Sequence, residues 1–449
     1  MSTRTDGSDV IPTQKIAAEV LKIVEENSIS AKSALREYFK DMDLDYRIRG
    51  SVHAYVFEVL KRRNFLDFIL ERALGFRNLK SVNPFLRNLL RIGVYEMHFK
   101  SIPPPLATDS AVRIAREVSP KAAGFVNAVL RNAEKVDVGR ELEEIRKVSR
   151  RKYISLRYFH PEWYVKIAEK VTSRYEELLI ANLSQTLYVR ANTLLRSPES
   201  VFNLLQRQGV VLEETPLPEV FRVVSYEKPL TILDGYDRYF VIQDLASCLV
   251  SAALNPEPGD TVVDLASAPG SKTSHMAAMM ENRGKIVAVD NSKERVERMM
   301  VRLRRLGVRN VELRIHDGAK FRYEADKVLL DAPCSSTGSV RNYPSVKWRY
   351  SPRKFQGLLR LQRRMLANSS RIADDVVYST CSITFEENEG NLIKLKEIFD
   401  VERLDLPVGS PGIRKYGQKL FDRAERVVRL YPHIHDTAGF FISRLSVRP

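Results

Sequence analysis

Cysteine is scarce: 449 residues contain only Cys248, Cys334 and Cys381. The three are far apart and odd in number, they form no CxxC pair, and no histidines cluster at metal-ligand spacing. A zinc site or a secreted disulfide framework is therefore not expected. Nor does a chain of 51.4 kDa need such staples, being long enough for two or three domains with sizeable cores. No apolar run approaches the roughly 18 residues that suggest a membrane span. The opening MSTRTDGSDVIPTQ lacks the apolar centre of a signal peptide. The expectation is a soluble, cytoplasmic protein with no membrane partner and no bound metal.

Acidic residues are outnumbered, 56 against 72 Lys and Arg, for a formal net charge of +16. Such a balance suits a polyanionic partner or simply a basic proteome. Residues 301 to 370 hold sixteen Lys or Arg, among them Arg302, Arg304, Arg305, Arg353, Lys354, Arg363 and Arg364, against five acidic residues. A solvated helix face explains any one such run about as well as a binding surface does. Tyr343, Trp348, Tyr350 and Phe355 interleave with these charges, a mixture suited to stacking bases and neutralising phosphates.

From about residue 12 to 150, apolar residues recur at helical spacing, as in VHAYVFEVLKRRNFLDFILERAL, with breaks at SVNP and SIPPP. The basic stretch at residues 146 to 163 reads as a connector. A helix-like SPESVFNLLQRQG among short β-like pieces suggests a small α+β unit ending near residue 240. Beyond it, apolar strands alternate with amphipathic helices, which indicates a doubly wound, mostly parallel sheet. Ligands bind beyond the carboxyl ends of such strands. Asp264, Asp290, Asp331 and Cys381 all fall at or near predicted strand ends.

DLASAPGSKT, Asp264 to Thr273, joins the first strand of this sheet to its helix. Its small residues Ala266, Ser267, Ala268 and Gly270 let a ligand approach the backbone, and the helix start offers N–H groups, so a nucleoside-like cofactor is the natural candidate. A plain tight turn is the bland alternative. The pattern is neither GxGxxG nor GxxxxGK[ST], which argues against a dinucleotide and an NTPase. Asp290, ending the second strand, can accept hydrogen bonds from ribose hydroxyls, or can merely cap the next helix. Asp317, in HDGAKF, is placed to reach an adenine amino group, or only to make an Asp-Gly turn. DAPCSSTG, Asp331 to Gly338, and STCS, Ser379 to Ser382, follow the fourth and fifth strands. A lone strand cysteine is usually an inert small hydrophobe, the reading that suits Cys248 in QDLASCLVSAAL. Cys334 and Cys381, paired at one polar rim beside a cofactor turn, suggest chemistry instead.

Carbon 5 of a pyrimidine is a poor nucleophile. A thiolate adding to carbon 6 makes carbon 5 enamine-like, able to take a methyl from a sulfonium. The cysteine leaves by β-elimination once the proton on carbon 5 is abstracted, for which a second thiol or a water chain could serve as base. Hydrogen bonding at nitrogen 3, a role for a carboxyl group such as Asp331, makes carbon 6 more electrophilic.

In order and spacing, DLASAPGSKT, AVD, HDG, DAPCSSTG and YSTCSITFEENEG resemble the Sun family of RNA cytosine-5 methyltransferases. DYRIRGSVHAYVFEVLKRRNFLDFIL, RIGVYEMHF and GFVNAVLRN resemble the NusB-type helical domain of its RsmB branch. The resemblance covers nearly the whole chain. It implies that Cys381, in the TCS motif, is the nucleophile and that Cys334 assists product release. It also implies S-adenosylmethionine held by Ala266, Ser267, Ala268, Pro269, Gly270, Ser271 and Lys272, by Asp290 on the ribose, by Asp317 near the adenine and by Asp331 near the reacting end. Lys272 would also contact the target base or its phosphate.

The family turn usually reads CAAPGGKT, so Ala266, Ser267 and Ser271 depart from it. Ser336 stands where glycine is common, and Phe385 where a proline usually precedes EEN. RNYPSVKW departs from RRHPDIKW at Asn342, Tyr343 and Ser345. The expected architecture is multidomain: an all-α NusB-like RNA-binding domain over residues 10–150, a connector and small α+β (ferredoxin-like) RNA-handling subdomain over 151–240, and an α/β Rossmann-like S-adenosylmethionine-dependent catalytic domain over 241–449. RNA is the expected partner, ribosomal RNA by the domain order, with transfer RNA the alternative. A non-catalytic RNA-binding assembly factor is the rival from another class. A methyltransferase acting on an exocyclic amine would carry [DNS]PP[YFW] where this chain reads DAPC.

Overall fold

The computed structural model describes residues 12–75 and 78–449. The opening residues read for a signal peptide, and residues 10 and 11 of the expected helical domain, lie outside the described residues. The chain divides into two compact units. One comprises residues up to Glu169 together with Tyr343–Arg349, the other Lys170–Asn342 with Tyr350–Pro449.

In the first unit the 3.6-residue apolar spacing becomes helices Thr13–Asn27, Ala31–Phe39, Tyr46–Ala73, Pro84–Phe99, Pro104–Arg116 and Pro120–Glu134. The apparent breaks are helix starts. In SVNP, the Asn83 carboxamide oxygen accepts the Phe85 N–H at 2.9 Å while Pro84 takes the first helical position, where it has no N–H to lose. Ile16, Val20, Val56, Leu66, Ile69, Leu89, Leu90, Val126 and Leu130 meet in the core, each worth about 1.5–3 kcal/mol on burial. Gly93 is where two helices approach closely, since a Cβ there would lie 2.9 Å from Leu130 Cδ1. The stretch 146–163, expected to be a connector, is largely helical: Val138–Val148 and Arg150–Arg157 are separated only by Ser149, whose hydroxyl caps the second helix. Charge hides the apolar stripe there, Ile154 and Leu156, which are buried.

The second unit opens with an antiparallel sheet of β1 (Leu187–Ala191), β2 (Val210–Glu214), β3 (Val220–Tyr226) and β4 (Phe240–Ile242), with helix Pro198–Gln206 between β1 and β2. The strand order β2-β3-β1-β4 is that of a split βαβ, ferredoxin-like unit whose second helix is reduced to the 3₁₀ turn Leu230–Ile232.

The larger sheet uses β5 (Thr261–Leu265), β6 (Lys285–Asp290), β7 (Val311–Ile315), β8 (Lys327–Asp331), β9 (Asp375–Thr380) and β10 (Phe399–Glu402). After the small hairpin β11 (Lys415–Tyr416) and β12 (Lys419–Leu420), β13 (Val428–Leu430) and β14 (Phe440–Val447) complete it. Its order is β10-β14-β9-β8-β5-β6-β7, with β13 on β14. Strands β5 to β9 pair in parallel, while β14 pairs antiparallel with both β9 and β10. Because β5 is flanked by β6 on one side and β8 on the other, the winding reverses at its carboxyl end, where a doubly wound sheet opens a crevice.

Candidate active site

The turn after β5 lines that crevice. Ala266 (φ +71°) and Gly270 (φ +89°) hold left-handed backbone, and the Ala266 and Ser267 N–H groups both donate to Val289 O at 2.9 Å. A Cβ on Gly270 would lie 2.9 Å from Met299 Cγ, so glycine is needed for space as well as conformation. Helix Ser271–Met279 then begins with Gly270 at its cap position and no side-chain cap. Its first-turn N–H groups are therefore left to a ligand, a donor set that suits a carboxylate. Ser271, a family departure, starts this helix and accepts a hydrogen bond from Arg302 Nη1 at 3.0 Å.

Asp290 ends β6 and is buried. One carboxylate oxygen accepts the Ser292 N–H at 3.0 Å, and the other accepts the Ala268 N–H at 3.3 Å and faces Arg295 Nη2 at 3.3 Å. Capping of the next helix falls to Ser292. Asp317, beyond β7, is more exposed: it accepts its own turn's Ala319 N–H at 3.0 Å and lies 3.9 Å from Arg364. Asp264 is buried beneath the turn, where burial pushes its carboxyl up to about 7 although the Thr273 hydroxyl donates to it.

Asp331 ends β8. It pairs with Lys272 Nζ at 2.7 Å and accepts the Ser379 hydroxyl, from β9, at 2.8 Å. Burial lowers the Lys272 ammonium, but the neighbouring Asp331 outweighs it and holds Lys272 above its ordinary value. Past the ends of β8 and β9 the two thiols meet, with Cys334 Sγ 3.4 Å from Cys381 Sγ. They are driven in opposite directions. The hydrogen bond with Cys334 lowers Cys381, assisted by hydrogen bonds with Ser336 and Ser339 and opposed by burial. Cys334 is raised by the same contact and by its own burial. The contact thus favours the charged form of Cys381 and the neutral form of Cys334. Cys248 is buried in helix Leu245–Leu254, far above an ordinary thiol through burial, and takes no part.

Sequence reasoning missed what holds these two loops together. In FEENEG the helix Glu389–Lys394 begins only at Glu389, and Glu387 and Glu389 are buried acceptors. Glu387 receives the Ser335 N–H at 2.7 Å from the Cys334 loop, the Thr384 hydroxyl at 3.0 Å and the Ser382 hydroxyl from the Cys381 loop, and Gln362 Nε2 at 2.9 Å. Asn388 Nδ2 donates to Ser382 O at 2.9 Å. Glu389 pairs with buried Arg429, whose Nη1 donates to Ile383 O at 2.9 Å. Two acids flanking an asparagine, six and eight residues after a candidate nucleophile, were the available signal. The loops also touch through backbone: Gly338 N–H donates to Cys381 O at 3.0 Å, and a Cβ on Gly338 would lie 2.0 Å from Gly439 O. Ser336 has φ +56°, which explains the glycine common there, since serine costs about 1 kcal/mol in that region.

The basic window needs correction. Arg341 and Lys347 are buried, with Lys347 Nζ donating at 2.6 Å to Lys61 O and Phe159 O in the first unit. Trp348 Nε1 donates to Leu60 O at 2.7 Å, and Phe355 is buried. These residues serve packing because carbonyls and core claim them. Arg304, Arg305, Arg353, Lys354 and Arg364 remain exposed. Among the described residues no helix is long and apolar enough to cross a membrane, and no cluster of His, Cys, Asp or Glu could hold a metal.

Fold and site together define an α/β methyltransferase whose strand-end rim brings two cysteines into contact. Residues 251–446 match the family described as 16S rRNA methyltransferase RsmB/F, and residues 12–135 match the NusB family. A probable ribosomal RNA small subunit methyltransferase B from Synechocystis sp. is 28% identical over 412 residues, 87% of this chain and 89% of that one. The tRNA (cytosine(49)-C(5))-methyltransferase of Pyrococcus abyssi is 33% identical over 308 residues, 64% of this chain and 98% of that one. The crystal structure of NSun6 from Pyrococcus horikoshii with SFG superposes with a TM-score of 0.56 at 26% identity, over 64% of this chain and 96% of that one. The chain belongs to the RsmB/F family of RNA cytosine-C5 methyltransferases, with an N-terminal NusB domain.

Proposed function

We propose that the protein methylates carbon 5 of a cytosine in small-subunit ribosomal RNA, in the cytoplasm, with Cys381 as nucleophile and Cys334 assisting release. The observation that carries the reading is the 3.4 Å contact between two thiols of opposite acidity. Ribosomal RNA is favoured because the Synechocystis relative aligns across 87% of the chain, NusB half included. The helical unit would bind RNA and the small antiparallel sheet would guide it.

Ala266 to Lys272 would hold the methionine end of S-adenosylmethionine through the uncapped helix start. Asp290 would hold the ribose and Asp317 the adenine edge. A carboxylate has about four acceptor positions. With three donors already on Asp290, one ribose hydroxyl is accommodated directly, and a second requires Arg295 to withdraw. S-adenosylmethionine, when bound, supplies the methyl group to carbon 5.

The remaining steps belong to the chain. The Cys381 thiolate adds to carbon 6, and its negative charge passes into the ring. Asp331 and Lys272 together present the N3–N4 edge with an acceptor and a proton-bearing ammonium, which takes up that charge. Once Cys381 is a thioether, the anion that kept the proton on Cys334 is gone, and the Cys334 acidity returns towards that of an ordinary thiol. Cys334, as thiolate or through a water, then takes the proton from carbon 5. The electrons of that C–H bond form the C5–C6 double bond as the carbon–sulfur bond breaks, and Cys381 leaves as thiolate.

Cys334→Ser, incubated with RNA and cofactor, should accumulate a covalent protein–RNA adduct resolved on a denaturing gel, and Cys381→Ser should lose both adduct and product. Adduct with Cys381→Ser but none with Cys334→Ser would reverse the roles. Bisulfite sequencing of total RNA with and without the gene identifies the base, and a protected cytosine confined to transfer RNA would overturn the ribosomal assignment.

A further inference from the structure

The hairpin β11–β12 is absorbed neither by the fold's core nor by the reaction. Lys415 pairs with Leu420 and Tyr416 with Lys419 across a turn opened by Gly417 at φ +60°. Residues 411–426 hold five basic side chains against two acidic ones. Arg414, Lys415, Lys419 and Arg423 are exposed and, among the described residues, pair with no carboxylate. Other cations of the same unit are held by carboxylates, as Arg302 is by Asp237 at 2.8 Å and Lys327 by Asp260 at 2.8 Å, while Arg304, Arg305, Arg353 and Lys354 are exposed like those of the hairpin. A solvated turn would leave such charges on a loosely held tip.

This tip is not loosely held. The Tyr416 ring stacks on Phe385 with centroids 4.6 Å apart and planes 3° from parallel. Lys170 Nζ lies 5.4 Å from the Tyr416 ring. Ile413 N–H donates to Glu389 Oε1 at 2.7 Å, and Phe421, on the far side of the turn, is 3% exposed. Phe385 is the residue that departs from the usual proline and lies four positions after Cys381, while Glu389 is fixed by Arg429. The hairpin is thus anchored through Tyr416 and Ile413 to the segment that follows the nucleophile and through Phe421 to the core, with its cations turned to solvent.

We infer that the β11–β12 hairpin is a phosphate clamp, gripping the backbone of the RNA strand that carries the target cytosine through Arg414, Lys415 and Lys419. Unpaired, fixed cations beside a reacting thiol raise the local concentration of a polyanion and set its register without reading sequence. The inference rests on the RNA reading above and adds the surface that holds the strand.

The test is the triple variant R414A/K415A/K419A beside wild type, with RNA affinity measured across a salt series and methyl transfer measured at saturating RNA. Removing three phosphate contacts should weaken RNA binding at least about tenfold and lower the slope of log affinity on log salt by about 2, at roughly 0.7 per single-strand contact. Cofactor affinity, which reports the intact fold, should be unchanged. An unchanged affinity, or a weaker affinity with an unchanged salt slope, would overturn the clamp. Wild type that methylates no RNA would sink the substrate reading itself, an outcome separate from wild type that methylates while the triple variant binds equally well.

Discussion

In the proposed mechanism the chemistry turns on Cys381, whose acidity can be tested without substrate. The Cys334 hydrogen bond favours the Cys381 thiolate and is the largest cause of its lowered pKa. The thiolate fraction of Cys381 at neutral pH therefore exceeds what the same thiol would show without that hydrogen bond. Alkylation by iodoacetamide, followed by mass spectrometry, should modify Cys381 before Cys334, with a rate that rises with pH to a midpoint below that of a free thiol. Cys334→Ala removes the donor and should move that midpoint upward; a midpoint that stays in place would remove the thiol pair as the source of activation. That both thiols share one rim is legible in the sequence, because cysteine is rare and each follows an apolar run and a polar turn. Which of the two carries charge is not legible. It depends on a 3.4 Å approach between residues 47 positions apart and on serines whose hydroxyls aim only once Ser336 takes left-handed backbone.

Two loops, one after β8 and one after β9, must be held in register for that approach, and Glu387 does this with donors from both. Glu387→Gln keeps the shape but turns one acceptor into an NH₂ group facing donors. It should cost about 1–3 kcal/mol of stability for the mispaired buried groups, read as a lowered Tm, and reduce adduct formation far more than cofactor affinity. Equal losses in both would mean that Glu387 merely stabilises the domain. At this scale the alternation of strands and helices is plain from period and length, since buried parallel strands are apolar throughout. The antiparallel direction of β14 is not, because GFFISRLSV reads the same in either direction. The helix over Arg150–Arg157 is hidden for a different reason. Its eight residues carry four Lys or Arg, so charge masks the buried Ile154 and Leu156, and only the Ser149 cap marks the start.

At the scale of the whole chain, the net charge of +16 predicts a polyanionic partner without saying where it lies, and the window over residues 301–370 overstates the local case. Arg341 and Lys347 are consumed by carbonyls, and Arg302 and Lys327 by carboxylates. A linear sequence cannot separate structural cations from free ones, because the distinction lies in contacts with residues as distant as Lys61 and Asp436. What remains exposed, Arg304, Arg305, Arg353, Lys354 and Arg364 with the hairpin cations, is still enough for several phosphate contacts. Each such contact releases condensed counterions when RNA binds, at roughly 0.7 units of log–log slope for a single strand and 0.9 for a duplex. Four or more contacts therefore predict a slope steeper than about −3, equivalent to a loss of more than tenfold in affinity between 50 and 200 mM salt. Filter binding or fluorescence anisotropy of full-length protein with a ribosomal RNA fragment measures it. A slope near zero would mean that the exposed cations do not meet phosphate and that the charge serves solubility alone. Because the target cytosine must leave any helix to expose carbon 6, a fragment with that base in a loop should also be methylated faster than the same base held in a duplex at equal occupancy.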